Sequence, residues 1–162
     1  MALFLVQHGK SLPKEVDPEQ GLSDEGRAET EEIASIAKER GVRVARIVQS
    51  GRKRAAETAE IFSAFLMPPG GLQPSDGLSP LDDVIAFAEK MESSEDLMLV
   101  GHLPFMERLA SFLITGSADS PVIRFQNSGI VCLVREADTR LWTIRWTLFP
   151  RIGYSIHLPK MP

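Results

Sequence analysis

Leu3-Phe4-Leu5-Val6-Gln7-His8-Gly9-Lys10-Ser11 is the stretch on which the reading of this chain turns. Four apolar residues follow one another without period-two alternation, then stop at once in polar side chains and a glycine. An apolar run that does not alternate is the pattern of a strand buried on both faces, as in the interior of a parallel sheet. Runs 44–48 and 97–100 read the same way and end in Gln49-Ser50-Gly51-Arg52-Lys53-Arg54 and Gly101-His102-Leu103-Pro104.

Helical stretches lie between these runs. Segment 23–40 opens on Ser23, a suitable N-cap, places Ala28, Ile33, Ile36 and Ala37 near one face, and stops at Gly41. Segment 54–66 carries Ala55, Ala59, Ile61, Phe62 and Phe65 and runs into Met67-Pro68-Pro69-Gly70-Gly71, a surface loop by composition. A helix over 81–92 follows, and Pro104 suits the first turn of another that reaches Thr115. Runs 130–135 and 141–148 flank Ala137-Asp138-Thr139-Arg140 and read as a hairpin. In the second of them Trp142, Ile144, Trp146 and Leu148 share one face and read as core packing. The expected order is βαβαα-βα followed by the hairpin, with an irregular tail from Pro150. With no internal repeat, low-complexity segment or linker, residues 1–162 read as one α/β domain, a three-layer α/β/α sandwich with a mostly parallel central sheet.

Composition bounds the function. A length of 162 residues with 43% hydrophobic suffices for one core and is too short for two ordinary domains. A net charge of -4 with 7% aromatic residues offers no basic stripe or stacking platform, so nucleic acid is not an expected partner. No apolar run approaches the roughly 18 residues that span a bilayer. The short run from Ala2 to Val6 lacks a basic leader and a cleavage site, so a cytoplasmic protein that does not engage membrane is expected. Cys132, the single cysteine, excludes an internal disulfide and a cysteine-rich metal site, and its place in the run 130–134 makes it a core thiol. Nothing in the sequence assigns an oligomeric state.

In open α/β sheets, ligands bind beyond the carboxyl ends of the strands. Two of the three histidines, His8 and His102, fall at such ends, and Arg54 follows the second run. Two imidazoles and a guanidinium make an anion site, in which a neutral imidazole attacks phosphorus while cationic donors hold the nonbridging oxygens. His157 matches no motif and has no expected role in the chemistry. Ser50 reads as a turn or capping residue, since a catalytic serine needs a base turned toward it.

Four segments resemble the motifs of the histidine phosphatase superfamily, the phosphoglycerate mutase-like proteins, in their small SixA-type branch. They are Gln7-His8-Gly9, Leu22-Ser23-Asp24-Glu25-Gly26, the stretch Ser50-Gly51-Arg52-Lys53-Arg54-Ala55-Ala56-Glu57-Thr58, and His102-Leu103-Pro104. Leu78-Ser79-Pro80 also resembles the family's stretch before its next helix. The resemblance spans most of the chain. It implies a phosphatase in which His8 becomes phosphorylated and water then attacks the phosphohistidine. Arg54 and His102 are its other catalytic groups, and Gln7, His8, Arg54, His102 and Leu103 form the phosphate-binding set. It implies no metal and no cofactor. The substrate it implies is a phosphorylated protein carrying phosphohistidine, and the alternative is a small phosphate ester.

The departures from the family pattern carry their own expectations. Gln7 stands where the motif has arginine, a neutral amide for a permanent cation, and loss of one transition-state donor costs about 10² to 10³ in rate. Reduced turnover, or a degenerate module that binds phosphate or a phosphoprotein without turning it over, is the corresponding alternative. Lys10 and Arg52 are the candidates to restore the charge, Lys10 without arginine's planar fork. Gly51 replaces the motif's proline, with a small expected effect. Asp76, Asp82 and Asp83 are candidates by position for proton donation to a leaving group. A phosphoramidate eases that need, because imidazole titrates near pH 6.5 and leaves more readily than an alkoxide. The chain also lacks the long insertions that cover the site in larger relatives, which leaves a shallow pocket open to a protein surface.

Overall fold

The structure is a computed structural model that describes residues 1–91, 94–135 and 141–151. The expected hairpin turn at 137–140, the tail beyond 151 and His157 lie outside the described residues. The elements in chain order are β1 (Ala2–Gln7), α1 (Asp24–Glu39), β2 (Arg46–Gln49), α2 (Lys53–Leu66), β3 (Leu72–Pro74), α3 (Val84–Lys90), β4 (Leu97–Gly101), α4 (Phe105–Thr115), β5 (Ile130–Arg135) and β6 (Trp142–Leu148).

All six strands form one sheet in the order β3-β2-β4-β1-β5-β6. The β2/β3, β2/β4 and β1/β4 pairs are parallel, while β5 runs antiparallel to both β1 and β6. The apolar runs of β1 and β4 lie at the centre with helices on both faces, which is why they do not alternate. On one face Phe4, Val6, Met98 and Val100 pack with Ile33, Ala34 and Ala37 of α1 and Ala55, Ala59 and Phe62 of α2. On the other, Leu3, Leu5, Leu97 and Leu99 pack with Val84 of α3 and Phe105, Met106 and Leu109 of α4. The result is the three-layer α/β/α sandwich with a mostly parallel sheet that the strand and helix pattern calls for.

Four expectations are corrected. Strand β3 follows directly on the expected loop at 67–71, where the reading assigns no element. It is three residues long, sits at the sheet edge and includes Pro74, which an edge strand tolerates because the missing N–H faces away from the ladder. Helix α3 begins at Val84 rather than 81, because Asp83 caps it by accepting from the Ile85 and Ala86 N–H groups while Asp82 accepts from Ser79 N, leaving Leu81 in a turn and 84% exposed. Strand β2 covers Arg46–Gln49 rather than 44–48.

The fourth concerns the tryptophan stripe, which is split between faces. A register irregularity sets Cys132 opposite Trp146 but Leu133 opposite Ile144, so Arg145 is the extra residue of a bulge. Trp142 therefore joins the α3/α4 face and Trp146 with Leu148 the α1/α2 face, while Ile144 is left 39% exposed. Cys132 is a core thiol, 2% exposed, and burial pushes its pKa up to about 11.

Candidate functional site

Register is what brings the two histidines together. Gln7 of β1 is level with Gly101 of β4, and His8 N donates to Gly101 O at 3.0 Å, so His8 and His102 leave neighbouring strands side by side. Their ring centroids are 5.0 Å apart, with the planes inclined at 52°. The first turn of α2 carries Arg54 to the same rim, where its Nε donates to His8 Nε2 at 3.2 Å.

These contacts assign the His8 tautomer. Nδ1 lies 2.7 Å from Gly9 O, which can only accept, so Nδ1 carries the hydrogen and Nε2 presents its lone pair toward the Arg54 donor. His102 is 1% exposed, its Nε2 is 2.5 Å from Ser50 Oγ, and its Nδ1 is buried with no partner among the described residues. Burial lowers the His8 pKa to about 4, reinforced by the Arg54 charge and opposed by the bond to Gly9. Burial likewise lowers His102 to about 3, helped by His8, Arg54 and Arg52. Both imidazoles are thus neutral near pH 7.

The surrounding motif residues hold the loop that carries His8. Gly9 N donates to Thr58 Oγ1 at 2.9 Å, Thr58 Oγ1 donates to Arg54 O at 2.7 Å, and Asn127 Nδ2 donates to His8 O at 2.8 Å. Glu57 Oε2 accepts from Leu22 N at 2.6 Å, joining the second and third motifs. Ser23 caps α1 by accepting from Gly26 N, and both its N–H and its hydroxyl donate to Lys10 O. Gly26 packs so closely on this loop that a Cβ there would lie 2.1 Å from Lys10 O.

The other candidates are placed as follows. Gln7 and Leu103 line a cavity of about 350 Å³ together with Lys10 and Asn127, and Gln7 Oε1 is buried without a partner among the described residues. Lys10 is also held by carboxylates, at 2.6 Å from Glu25 Oε1 and 3.6 Å from Glu29 Oε1. Arg52 is exposed at the N-cap of α2, and among the described residues no hydrogen bond links it to either histidine, although its charge reaches His102. Gly51 has φ +85°, a conformation closed to proline and open to glycine, so this loop departs in shape from one built on the motif's proline. Asp82 and Asp83 are engaged by backbone N–H groups of the α3 turn, and Asp76 lines a cavity beside them, so none of the three joins the histidine cluster. Ser50 also accepts weakly from Arg52 N, at 3.4 Å, which combines the expected turn role with its contact to His102.

Sequence reasoning passed over Asn127, Thr58 and the Ser50 contact. Thr58 was inside a quoted motif. Asn127 had a signal in the polar cluster before the run 130–134, because β5 is antiparallel to β1 and so begins at the rim where β1 ends. Among the described residues no group of three His, Cys, Asp or Glu side chains is placed to hold a metal ion, and no helix is long and apolar enough to cross a membrane.

No protein-family model matches the chain. It is 29% identical over 141 residues, 82% of this chain and 84% of the other, to an uncharacterized protein of a Picosynechococcus strain. Its structure is similar to the protein histidine phosphatase SixA in complex with tungstate (TM-score 0.76, 24% identity, covering 93% of this chain and 97% of that one). It is also similar to a protein assigned as the phosphohistidine phosphatase SixA of Agrobacterium tumefaciens (TM-score 0.71, 25% identity, 91% and 96% covered). A mycobacterial glucosyl-3-phosphoglycerate phosphatase complexed with VO3 matches at TM-score 0.66 with 16% identity, over 90% of this chain and 97% of that one. The fold is that of the histidine phosphatases and phosphoglycerate mutases, in its SixA-type form.

Proposed function

We propose that this chain, which has the fold of the SixA-type histidine phosphatases, is a phosphatase that hydrolyses phosphohistidine in a protein through a covalent intermediate on His8. The observation that carries the reading is the His8 ring: Nδ1–H tied to Gly9 O, Nε2 unprotonated, with the Arg54 guanidinium 3.2 Å away and the His102 ring alongside. In the first step the Nε2 lone pair forms a bond to phosphorus as the bond from phosphorus to the leaving nitrogen breaks, and the leaving imidazole departs neutral with a proton taken from solvent. In the second, water forms the new bond to phosphorus, the P–Nε2 bond breaks, and phosphate departs with His8 restored. Arg54 holds the nonbridging oxygens through charge-assisted hydrogen bonds. When Ser50 donates its hydroxyl hydrogen to His102 Nε2, Nδ1 carries a hydrogen, and a phosphoryl oxygen is an acceptor suited to that otherwise unpartnered group. Among the described residues no carboxylate is bonded to His8, His102 or Arg54 as a proton donor, which favours a leaving imidazole over an alkoxide. The similar SixA and mycobacterial phosphatase structures are complexes with tungstate and with VO3, oxyanions like the phosphate that this reading assigns to the chain.

The decisive assay measures phosphate release from phosphoramidate and from a phosphohistidine protein, in chelator, for wild type, His8→Ala and Gln7→Arg. The expected outcome is wild-type turnover, its loss in His8→Ala by about 10³-fold or more, and a faster Gln7→Arg variant. Faster release from sugar phosphates than from phosphoproteins would replace the protein substrate with a small ester. A second reading is favoured by Gln7 itself, since its amide brings no charge to the rim. In that reading the pocket binds phosphate or a phosphoprotein without turnover, and an inert wild type that still binds phosphate would establish it.

A further inference from the structure

We propose that Arg151, with Lys10, supplies the positive charge that Gln7 does not, as a phosphoryl-binding residue brought from the opposite end of the chain. The inference rests on the phosphatase reading above and names a further residue of that site.

Strand β6 is antiparallel to β5, which is antiparallel to β1, so β6 runs in the direction of β1 and exits at the rim that carries His8. Arg151 follows that exit and lines the same 350 Å³ cavity as Gln7, together with Leu103, which succeeds His102, and Asn127, which holds His8 O. Its backbone is tied down, because Gln126 Nε2 donates to Arg151 O at 3.3 Å. The side chain is aimed by Glu29, whose Oε1 accepts from Nε at 3.2 Å and from Nη2 at 2.9 Å.

The ion pairs there are shared. Arg151 Nη2 reaches Glu25 Oε1 at 2.5 Å and Lys10 Nζ reaches the same oxygen at 2.6 Å, while Glu29 Oε1 also faces both cations. Two cations thus converge on the same two carboxylate oxygens. When either turns to an incoming dianion, the other stays in contact with both Glu25 and Glu29, so each carboxylate keeps a shared cationic partner. Among the described residues no hydrogen bond uses Arg151 Nη1, which leaves the two N–H groups of that nitrogen as donors for a phosphoryl oxygen. Lysine at position 10 has one nitrogen, drawn to both carboxylates, whereas Arg151 keeps Nη1 for a ligand while its other nitrogens hold Glu25 and Glu29, which is why Arg151 is assigned the principal role. Where the family motif sends an arginine from the end of β1, this chain has glutamine on β1 and an arginine entering the same cavity from β6.

The test is a double-mutant cycle on the full chain. Inorganic phosphate affinity by calorimetry, kcat/KM on phosphoramidate and the melting midpoint are measured for wild type, Arg151→Met, Gln7→Arg, the double variant and Arg151→Lys. Arg151→Met is expected to weaken phosphate binding and kcat/KM by about tenfold, the usual effect of one charge-assisted hydrogen bond. Gln7→Arg should restore both in the Arg151→Met background and gain much less in wild type, with Arg151→Lys between wild type and Arg151→Met. Phosphate affinity unchanged in Arg151→Met, or equal gains from Gln7→Arg in both backgrounds, would overturn the proposal and leave Arg151 as a surface ion pair. If Arg151→Met also melts earlier, recovery of binding by Gln7→Arg separates the charge from the fold, and absence of recovery overturns the proposal. Phosphate binding by wild type without hydrolysis defeats only the phosphatase reading, since the affinity comparison still decides the role of Arg151. No phosphate binding by wild type defeats both.

Discussion

A histidine that attacks phosphorus must be neutral at its working pH, and burial secures this for both imidazoles of the site. His8 is lowered from 6.5 to about 4 and His102 to about 3, burial being the largest cause for each. Between these values and 6.5 the unfolded chain binds protons that the folded one does not, so stability rises with pH across that window and is lost on acidification through it. The melting midpoint is therefore expected to fall as pH drops from about 6.5 toward 4, with a flatter profile in a His8→Asn/His102→Asn variant. NMR titration of the two rings should give midpoints well below 6.5, and midpoints near 6.5 would refute the buried, neutral pair. At this scale much was readable in advance. His8, His102 and Arg54 stood out because polar residues at the ends of apolar runs are chemically conspicuous, and so did Gln7. What the Ser50 hydroxyl touches was not readable, because its contact with His102 spans 52 positions in sequence and depends on the β2/β4 pairing.

Among the elements, α1 was legible nearly to the residue, from the Ser23 cap to the stop at Gly41, which sits at φ +75°. Cap and stop are local chemistry and need no partner to be read. The start of this helix also explains a motif that looked arbitrary in the sequence. Gly26 is required because its Cα approaches the Lys10 carbonyl of the loop carrying His8. Gly26→Ala gains about 1 kcal/mol in helix propensity, but the clash with backbone costs more, about 3 kcal/mol. A net loss of roughly 2 kcal/mol in denaturant unfolding is the expected result, together with reduced turnover from a displaced His8 loop. Equal or greater stability would show that the close approach is not needed. Helix α3 was misread at a local cap, Asp83, while β3 and the bulge of β6 were misread because their limits depend on neighbours. Strand β3 is an edge ladder of three residues that only β2 makes visible, and the β6 bulge exists only in its pairing with β5.

At the scale of the whole molecule, one six-stranded sheet carries two apolar layers, and β1 and β4 contribute side chains to both. Because the central strands are common to the two cores, neither layer has a boundary along which to separate. Thermal and denaturant unfolding are expected to show a single transition, coincident by fluorescence of Trp142 and Trp146, which lie on opposite faces, and by far-UV circular dichroism. Two resolved transitions would mean that the faces unfold separately and that residues 1–162 are not one cooperative domain. The sequence by itself determined the class of fold, the start and stop of α1 and the identity of the histidine pair, because hydrophobic period, capping chemistry and strand-end polarity are written in local order. Only the tertiary structure decided that Gln7 lies level with Gly101, that Asn127 holds His8 O, and that Arg151 and Lys10 share Glu25 and Glu29 beside Gln7. Those relations join residues up to 126 positions apart. They depend on strand order and register, which are set by burial of both sheet faces at once, and no local pattern encodes that.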